Sequence, residues 1–174
     1  MRLQALGASA VTHPTEPSVL LPGSTNRQAA LFFGSATYAF QVPLPVIQGY
    51  HWAAGLSEEG TPTGLAWTDE RFFYDTLVQA APYQSIGEQV DTLAMWCGAP
   101  AVPYDDHLAR VKVPVLYVGA SGGVGGHGLH GLSRLGSTDV STHMVPGYGH
   151  ADLFLASGAQ DAVWAPILDW VQRH

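Results

Sequence analysis

Near its end, the chain passes from a short apolar strand into a Pro-Gly-Tyr-Gly turn and then into a histidine. The stretch is Ser141-Thr-His-Met-Val-Pro-Gly-Tyr-Gly-His150, followed by Ala-Asp-Leu-Phe154. Gly147 and Gly149 can adopt positive φ angles that other residues avoid, so the chain can reverse sharply here. This predicts His150 at the tip of a turn, beyond the carboxyl end of the strand. Such a histidine is either a general base facing a cleft or a surface-loop residue without a catalytic role.

A second strand is predicted upstream, in Val113-Pro-Val-Leu-Tyr-Val-Gly119. A continuous run of β-branched and aromatic residues is typical of a strand buried on both faces of a parallel sheet. Seven glycines follow among positions 119–131, which argues against a helix beginning there, and a helix is predicted only from Leu129 to Leu135. An amphipathic terminal helix, irregular in its first turn at Pro166, is predicted from the spacing of Trp164, Ile167, Leu168 and Val171.

This order of elements predicts an α/β fold: the C-terminal part of a parallel sheet, over residues 101–174. Residues 1–100 are predicted to form a helical, loop-rich region. Within it, Pro14, Pro17 and Pro22 predict an irregular lead-in over residues 1–28. Helices are predicted from Gln28 to Phe40, from Thr68 or Asp69 to about Ala81, and more weakly from Ser85 to about Trp96.

Three aromatic residues in this first region are candidates for a substrate pocket. Tyr50, Trp52 and Trp67 lie among glycine and proline breaks. Aromatic rings on irregular backbone commonly line apolar pockets. The alternative for each ring is simple packing in a core.

Charge and hydropathy exclude several classes of partner. The chain has a net charge of −7 and only 7 Lys and Arg among 174 residues, so it lacks the basic surface that nucleic acid or an anionic membrane requires. No stretch reaches the roughly 18 apolar residues of a membrane span. The single cysteine, Cys97, excludes an intramolecular disulfide and is expected to be a buried thiol. The N-terminus has no clear signal-peptide pattern, which leaves the compartment open, with the cytoplasm as the default.

No cofactor is expected from the motifs present. Four histidines, His127, His130, His143 and His150, fall close together in the sequence. His127 and His130 are separated by a step that can chelate zinc on a helix, but the flanking glycines argue against a rigid site, and no carboxylate completes an obvious ligand set. The glycines of residues 119–131 lack the Lys-Ser/Thr ending of a phosphate-binding loop.

Three segments, taken in order, resemble the C-terminal part of enzymes of the α/β-hydrolase family. They are the Val113–Gly119 strand, the Gly147-Tyr-Gly-His150 turn and the terminal Trp164…Trp170 helix. The resemblance covers about residues 103–174, and the region from 30 to 100 looks like the cap that such enzymes insert. By this resemblance, His150 is the histidine of a catalytic triad, acting as general base and then as general acid in acyl transfer.

The chain departs from this family in its nucleophile and its acid. No Gly-x-Ser-x-Gly motif lies before residue 100, and the literal match, Gly119-Ala-Ser121-Gly-Gly123, is either a nucleophile elbow or a glycine-rich loop. No carboxylate lies between Gly122 and Gly131. Asp152 is expected to anchor the turn through backbone amides rather than to orient the imidazole. The chain therefore looks like the C-terminal half of a serine hydrolase without its nucleophile half.

Two functions follow as expectations. The first is hydrolysis of small apolar esters, with His150 as general base, Ser121 as the candidate nucleophile, and Tyr50, Trp52 and Trp67 lining the pocket. The second is a catalytically silent, truncated domain that binds an apolar ligand or a protein partner. In either case a homo-oligomer is expected, because a half-sheet leaves a strand edge unpaired. Light scattering at tens of micromolar would test this, and a clean monomer would contradict it.

Overall fold

The computed structural model describes residues 2–35, 53–59, 61–79, 107–123 and 125–174, together with residues 87, 90, 91 and 94. Predictions made for Tyr50, Trp52 and Cys97 lie outside these residues. The four described positions within the predicted helix from Ser85 to Trp96 are helical.

Ten helices and strands are described along the chain. They are α1 (Arg2–Thr12), α2 (Asn26–Ser35), β1 (Gly55–Glu58), β2 (Thr61–Leu65), α3 (Glu70–Gln79), β3 (Val115–Ala120), α4 (Gly125–Leu132), β4 (Val140–Val145), α5 (Asp152–Leu155) and α6 (Ala165–Arg173), with a 3₁₀ turn at Leu108–Arg110 and a π-helical turn at Gln160–Trp164. Within the described ranges, none of the helices is both long and apolar enough to cross a membrane.

The parallel pair β3–β4 is the centre of the C-terminal half. It pairs in register from Val115 opposite Val140 to Ala120 opposite Val145, with α4 as the crossover between the strands. The general α/β class is thus confirmed. Because the strands are parallel, their carboxyl ends meet at one edge, which brings the turn after Ala120 beside the turn after Val145.

Two details of this half differ from the sequence predictions. Residues Val115–Val118 are only half-buried, so β3 is not covered on both faces. The terminal helix is amphipathic as predicted, but only part of its apolar stripe packs against the core. Ile167 is half-buried and packs against the core that contains Val163, whereas Leu168 is 58% exposed and Val171 is 57% exposed. In the described residues the β3–β4 sheet has two strands. The expected self-association stays a prediction.

Helix α4 begins at Gly125, although the glycines of this stretch predicted that no helix would begin there. Close packing of the helix against β3 explains why it does. A Cβ atom at Gly125 would lie 2.6 Å from the backbone nitrogen of Ala120 and 2.7 Å from its carbonyl oxygen. The Tyr117 hydroxyl also donates a hydrogen bond to the Gly125 carbonyl, at 2.6 Å. Glycine is therefore needed here for helix–strand contact, and this contact outweighs its low helix propensity.

Two adjacent glycines of α4 give a matched test of this packing. We expect Gly125→Ala to lower the free energy of unfolding by about 1–3 kcal/mol, because the methyl group overlaps rigid backbone. Gly126→Ala should leave stability unchanged or raise it by up to about 1 kcal/mol, since a Cβ there has no atom within 4 Å. Urea unfolding of both variants makes the comparison. Equal changes in the two would contradict the packing role.

The N-terminal half contains two elements that the sequence prediction missed. Residues 2–12 are helical, so the expected irregular lead-in is wrong there; the prolines that suggested it all follow residue 13. The hairpin β1–β2 occupies a stretch that was expected to be irregular. The helices enclose a core, to which Ala53 at the start of the hairpin segment also belongs: Leu6, Ala10, Ala29, Ala30, Leu31, Ala53, Phe73 and Tyr74.

Helix α3 follows its prediction closely. The Asp69 carboxylate accepts a hydrogen bond from the Phe72 amide at 2.8 Å, which is the geometry of an N-cap. Phe73 and Tyr74 are buried. Burial is the main reason that the pKa of the Tyr74 phenol is raised, with the negative charge of Glu70 adding to it, so this tyrosine is a neutral member of the core.

Candidate functional site

The segment Pro146–His150, called here the histidine turn, directly follows β4. Gly147 has a φ of 72°, the left-handed conformation that glycine adopts without strain. His150 lies at the end of the turn and is exposed, as predicted. Its ring contacts the ring of Phe154, with centroids 6.4 Å apart. Within the described residues its nitrogens take part in no hydrogen bond, so they are free to exchange a proton.

The carboxylate of Asp152 anchors the histidine turn. Its side chain is 0% exposed. Oδ2 accepts hydrogen bonds from the amides of Gly149 and Ala54, each at 2.7 Å, and Oδ1 accepts one from the Thr68 hydroxyl at 2.5 Å. A buried carboxylate is tolerated only when such donors replace its lost water. The expected role of Asp152 as a backbone anchor agrees with these contacts.

The turn packs directly on the backbone of the N-terminal half. A Cβ atom at Gly149 would lie 2.7 Å from the carbonyl carbon of Ala53 and 2.7 Å from the nitrogen of Ala54. Glycine at this position lets the two segments approach closely enough for Asp152 to bond to both. The position of His150, the next residue, is therefore set by a contact between distant parts of the chain.

Trp67 lies against the histidine turn. Its indole Nε1–H donates a hydrogen bond to the Gly147 carbonyl at 3.1 Å, and its ring is tilted against that of Tyr148, with centroids 5.2 Å apart. The residue is 45% exposed. Trp67, predicted to line a pocket, thus holds the outer side of the turn. Its predicted companions Tyr50 and Trp52 lie outside the described residues.

Ser121 lies at the corresponding position after β3. Its Oγ accepts a hydrogen bond from the Gly147 amide at 2.8 Å, and its own amide donates to the Val145 carbonyl at 3.0 Å. The next amide, of Gly122, donates to the Tyr148 carbonyl at 2.9 Å. The turn containing Ser121 is thus joined to the histidine turn by two hydrogen bonds and to the end of β4 by a third, although in the described part of the chain none joins Ser121 to the His150 ring.

The surroundings of Ser121 fit a nucleophile elbow in one respect and depart from it in another. The expectation that no helix follows the serine is wrong, because α4 begins at Gly125 and gives a strand–turn–helix order. An oxyanion hole, however, uses the free amide that follows the nucleophile. Here the Gly122 amide is already bonded to Tyr148.

Tyr148 forms the buried floor of the histidine turn. It belongs to the second core, with Ala120, Val145, Leu153, Ala156, Ala159 and Val163. Burial, followed by the negative charge of Asp152, raises the pKa of the Tyr148 phenol above its ordinary value. The phenol therefore stays neutral at neutral pH and serves in packing.

An aromatic surface extends from His150. Phe154, 60% exposed, lies between the rings of His150 and Trp164, and its centroid is 6.1 Å from that of Trp164. An apolar group of a ligand placed on this surface would lie beside the imidazole. The periodicity of the terminal helix identified Trp164 but assigned it to packing.

His143, one of the four histidines noted in the sequence, makes a structural hydrogen bond. His143 Nε2 donates to the Ala162 carbonyl at 2.7 Å, linking β4 to the π-helical turn. Among the residues that the structure describes, no cluster of three or more His, Cys, Asp or Glu side chains could hold a metal ion.

Sequence reasoning missed Thr68 and Ala54, the partners of Asp152 in the N-terminal half. Thr68 was considered only as a possible helix cap. It lies 84 positions from Asp152 in sequence, and no local pattern marks such a pair.

Comparisons with protein-family models, with curated proteins and with solved structures find no match to this chain.

Proposed function

We propose that this chain hydrolyses small apolar esters with His150 as the general base. One observation carries the proposal. A fully buried carboxylate, Asp152, and its three donors are used to hold a turn whose exposed, chemically capable side chain is His150. A base must be held on a rigid scaffold while its ring stays free to move a proton, and the His150 ring has this freedom.

Ser121 is the proposed nucleophile within this chain. Its Oγ accepts the Gly147 amide, so its hydroxyl proton remains available for donation to a base. His150 would take that proton as Oγ attacks the ester carbonyl, and would return it to the leaving alcohol. A water molecule, deprotonated by the same imidazole, would then release the acid from Ser121, and the proton would return to Oγ. Catalytic hydrogen bonds often tighten only when substrate binds, and we expect the bond between Ser121 and His150 to form in that complex.

A serine-directed fluorophosphonate probe tests the assignment. We expect it to label Ser121, and we expect His150→Ala to slow the labelling strongly, because the probe reacts only with an activated hydroxyl. Mass spectrometry of the peptide locates the label. Ser133→Ala is the matched control, since Ser133 is exposed and its hydroxyl is bonded to the His130 carbonyl, in a separate part of the structure; this variant should label normally. Labelling of a serine other than Ser121 would contradict the nucleophile assignment.

A second candidate function is a catalytically silent domain that binds an apolar ligand or a protein partner. It is favoured by a specific observation: the Ser121 hydroxyl and the Gly122 amide both already hold the histidine turn. On this alternative, the exposed rings of Phe154 and Trp164 are the contact surface. Complete absence of labelling on a folded protein would favour it over hydrolysis.

A further inference from the structure

Three residues of the N-terminal half, Ala54, Trp67 and Thr68, hold the histidine turn from outside its own βαβ unit; together they are called the clasp. Ala54 and Thr68 donate to Asp152, and Trp67 donates to Gly147. The clasp is itself tied together, because the Ala66 amide donates to the Ala54 carbonyl at 2.8 Å. The Trp67 carbonyl also accepts the Ser157 amide at 3.1 Å, which extends the contact beyond α5.

Thr68 has a special place in the clasp. The other two donors to Asp152 are backbone amides, whereas Thr68 contributes a side chain. A hydroxyl bonded to a carboxylate must be the donor, so Thr68 fixes Oδ1 while the amides fix Oδ2. Thr68 is also buried, and water cannot readily replace its hydroxyl.

Two hydrogen bonds connect Thr68 to Gly149, the residue before His150. Thr68 orients the carboxylate of Asp152, and Asp152 holds the amide of Gly149, the residue before the histidine. Gly149 itself rests on the backbone of Ala53 and Ala54. Loss of the hydroxyl would let the carboxylate rotate and loosen its hold on Gly149.

We infer that Thr68 is a positioning residue for His150: acting through Asp152, it makes the geometry of the histidine depend on the N-terminal half of the chain. The catalytic meaning of this coupling rests on the proposed function. The coupling itself can be measured without any activity.

The experiment compares Thr68→Val, which removes the hydroxyl at nearly constant volume, with Thr68→Ser, which keeps it, in the full chain. We expect Thr68→Val to speed hydrogen exchange of the Gly149 amide by on the order of tenfold or more and to shift the NMR signals of the His150 ring. Thr68→Ser should restore both. Thr76→Val is the matched control, because the Thr76 hydroxyl is bonded to the Phe72 carbonyl on the exposed side of α3; it should change neither signal.

If the wild-type chain hydrolyses an ester, Thr68→Val should lower kcat by about 10- to 100-fold with KM within about twofold, since misplacement of a base affects the reaction more than binding. Unchanged Gly149 exchange and unchanged His150 signals in folded Thr68→Val would overturn the inference. If this variant does not fold, Thr68→Cys, which keeps only a weak donor, replaces it, and unchanged Gly149 exchange and unchanged His150 signals there would overturn the inference equally. If Thr68→Val changes the Gly149 exchange and the His150 signals but the wild-type chain does not hydrolyse esters, the proposed function is refuted and the inferred coupling remains.

Discussion

His150→Ala is expected to reduce ester hydrolysis by about 100- to 10,000-fold, the usual contribution of a positioned base. Stability should change by less than about 0.5 kcal/mol, since the side chain is exposed and its ring makes an edge contact with Phe154.

Initial rates on a short-chain aryl ester and a thermal melt of the same sample measure both quantities. His130→Ala is the matched control: His130 is likewise exposed but lies in α4, away from the histidine turn. It should keep the full rate. The structural alternative for His150 predicts the opposite pair of results, and an active His150→Ala protein with a lowered melting temperature would refute the catalytic role.

Asp152→Ala is expected to lower the free energy of unfolding by about 3–5 kcal/mol. The substitution leaves the Gly149 amide, the Ala54 amide and the Thr68 hydroxyl without their acceptor, and an unsatisfied buried donor costs about 1–3 kcal/mol. For a chain of this length the melting temperature should fall by roughly 10 °C. Calorimetry or circular dichroism melts measure the change.

Asp152→Asn should be milder, at about 1–2 kcal/mol. One amide oxygen can still accept both backbone amides, and the Thr68 hydroxyl can turn to accept from the Asn NH₂ group. Asp161→Ala is the control for loss of a carboxylate, because Asp161 is exposed in the π-helical turn; it should change stability by less than about 0.5 kcal/mol. An Asp152→Ala protein as stable as this control would show that the buried carboxylate does not anchor the turn.

His150→Ala and Asp152→Ala distinguish loss of the proposed base from loss of the carboxylate that holds it in position. His150 lies two residues from Asp152, yet the His150 side chain is exposed and its ring nitrogens have no hydrogen bond to the described residues, whereas Asp152 is fully buried with three donors. Loss of the first should affect rate alone. Loss of the second should affect stability, and with it any rate that depends on the position of His150.

Features governed by neighbours in sequence could be predicted from the sequence. Helix α3 begins after Asp69 because a carboxylate there can cap the Phe72 amide three positions on. The sharp reversal after β4 needs a positive φ, and Gly147 supplies it. Asp152 lies close enough to Gly149 in sequence for its bond to that amide to be expected. Each of these depends on steric and hydrogen-bonding preferences within about one turn of chain.

What depends on residues far apart was decided only by the tertiary structure. Gly125 opens a helix because the backbone of β3 passes within contact of it, and composition alone argued for a loop. Thr68 and Ala54 meet Asp152 across 84 and 98 positions of sequence. Periodicity and turn signals describe which local shapes a segment prefers, but a buried donor is matched to its acceptor only when the packed core brings the two segments together.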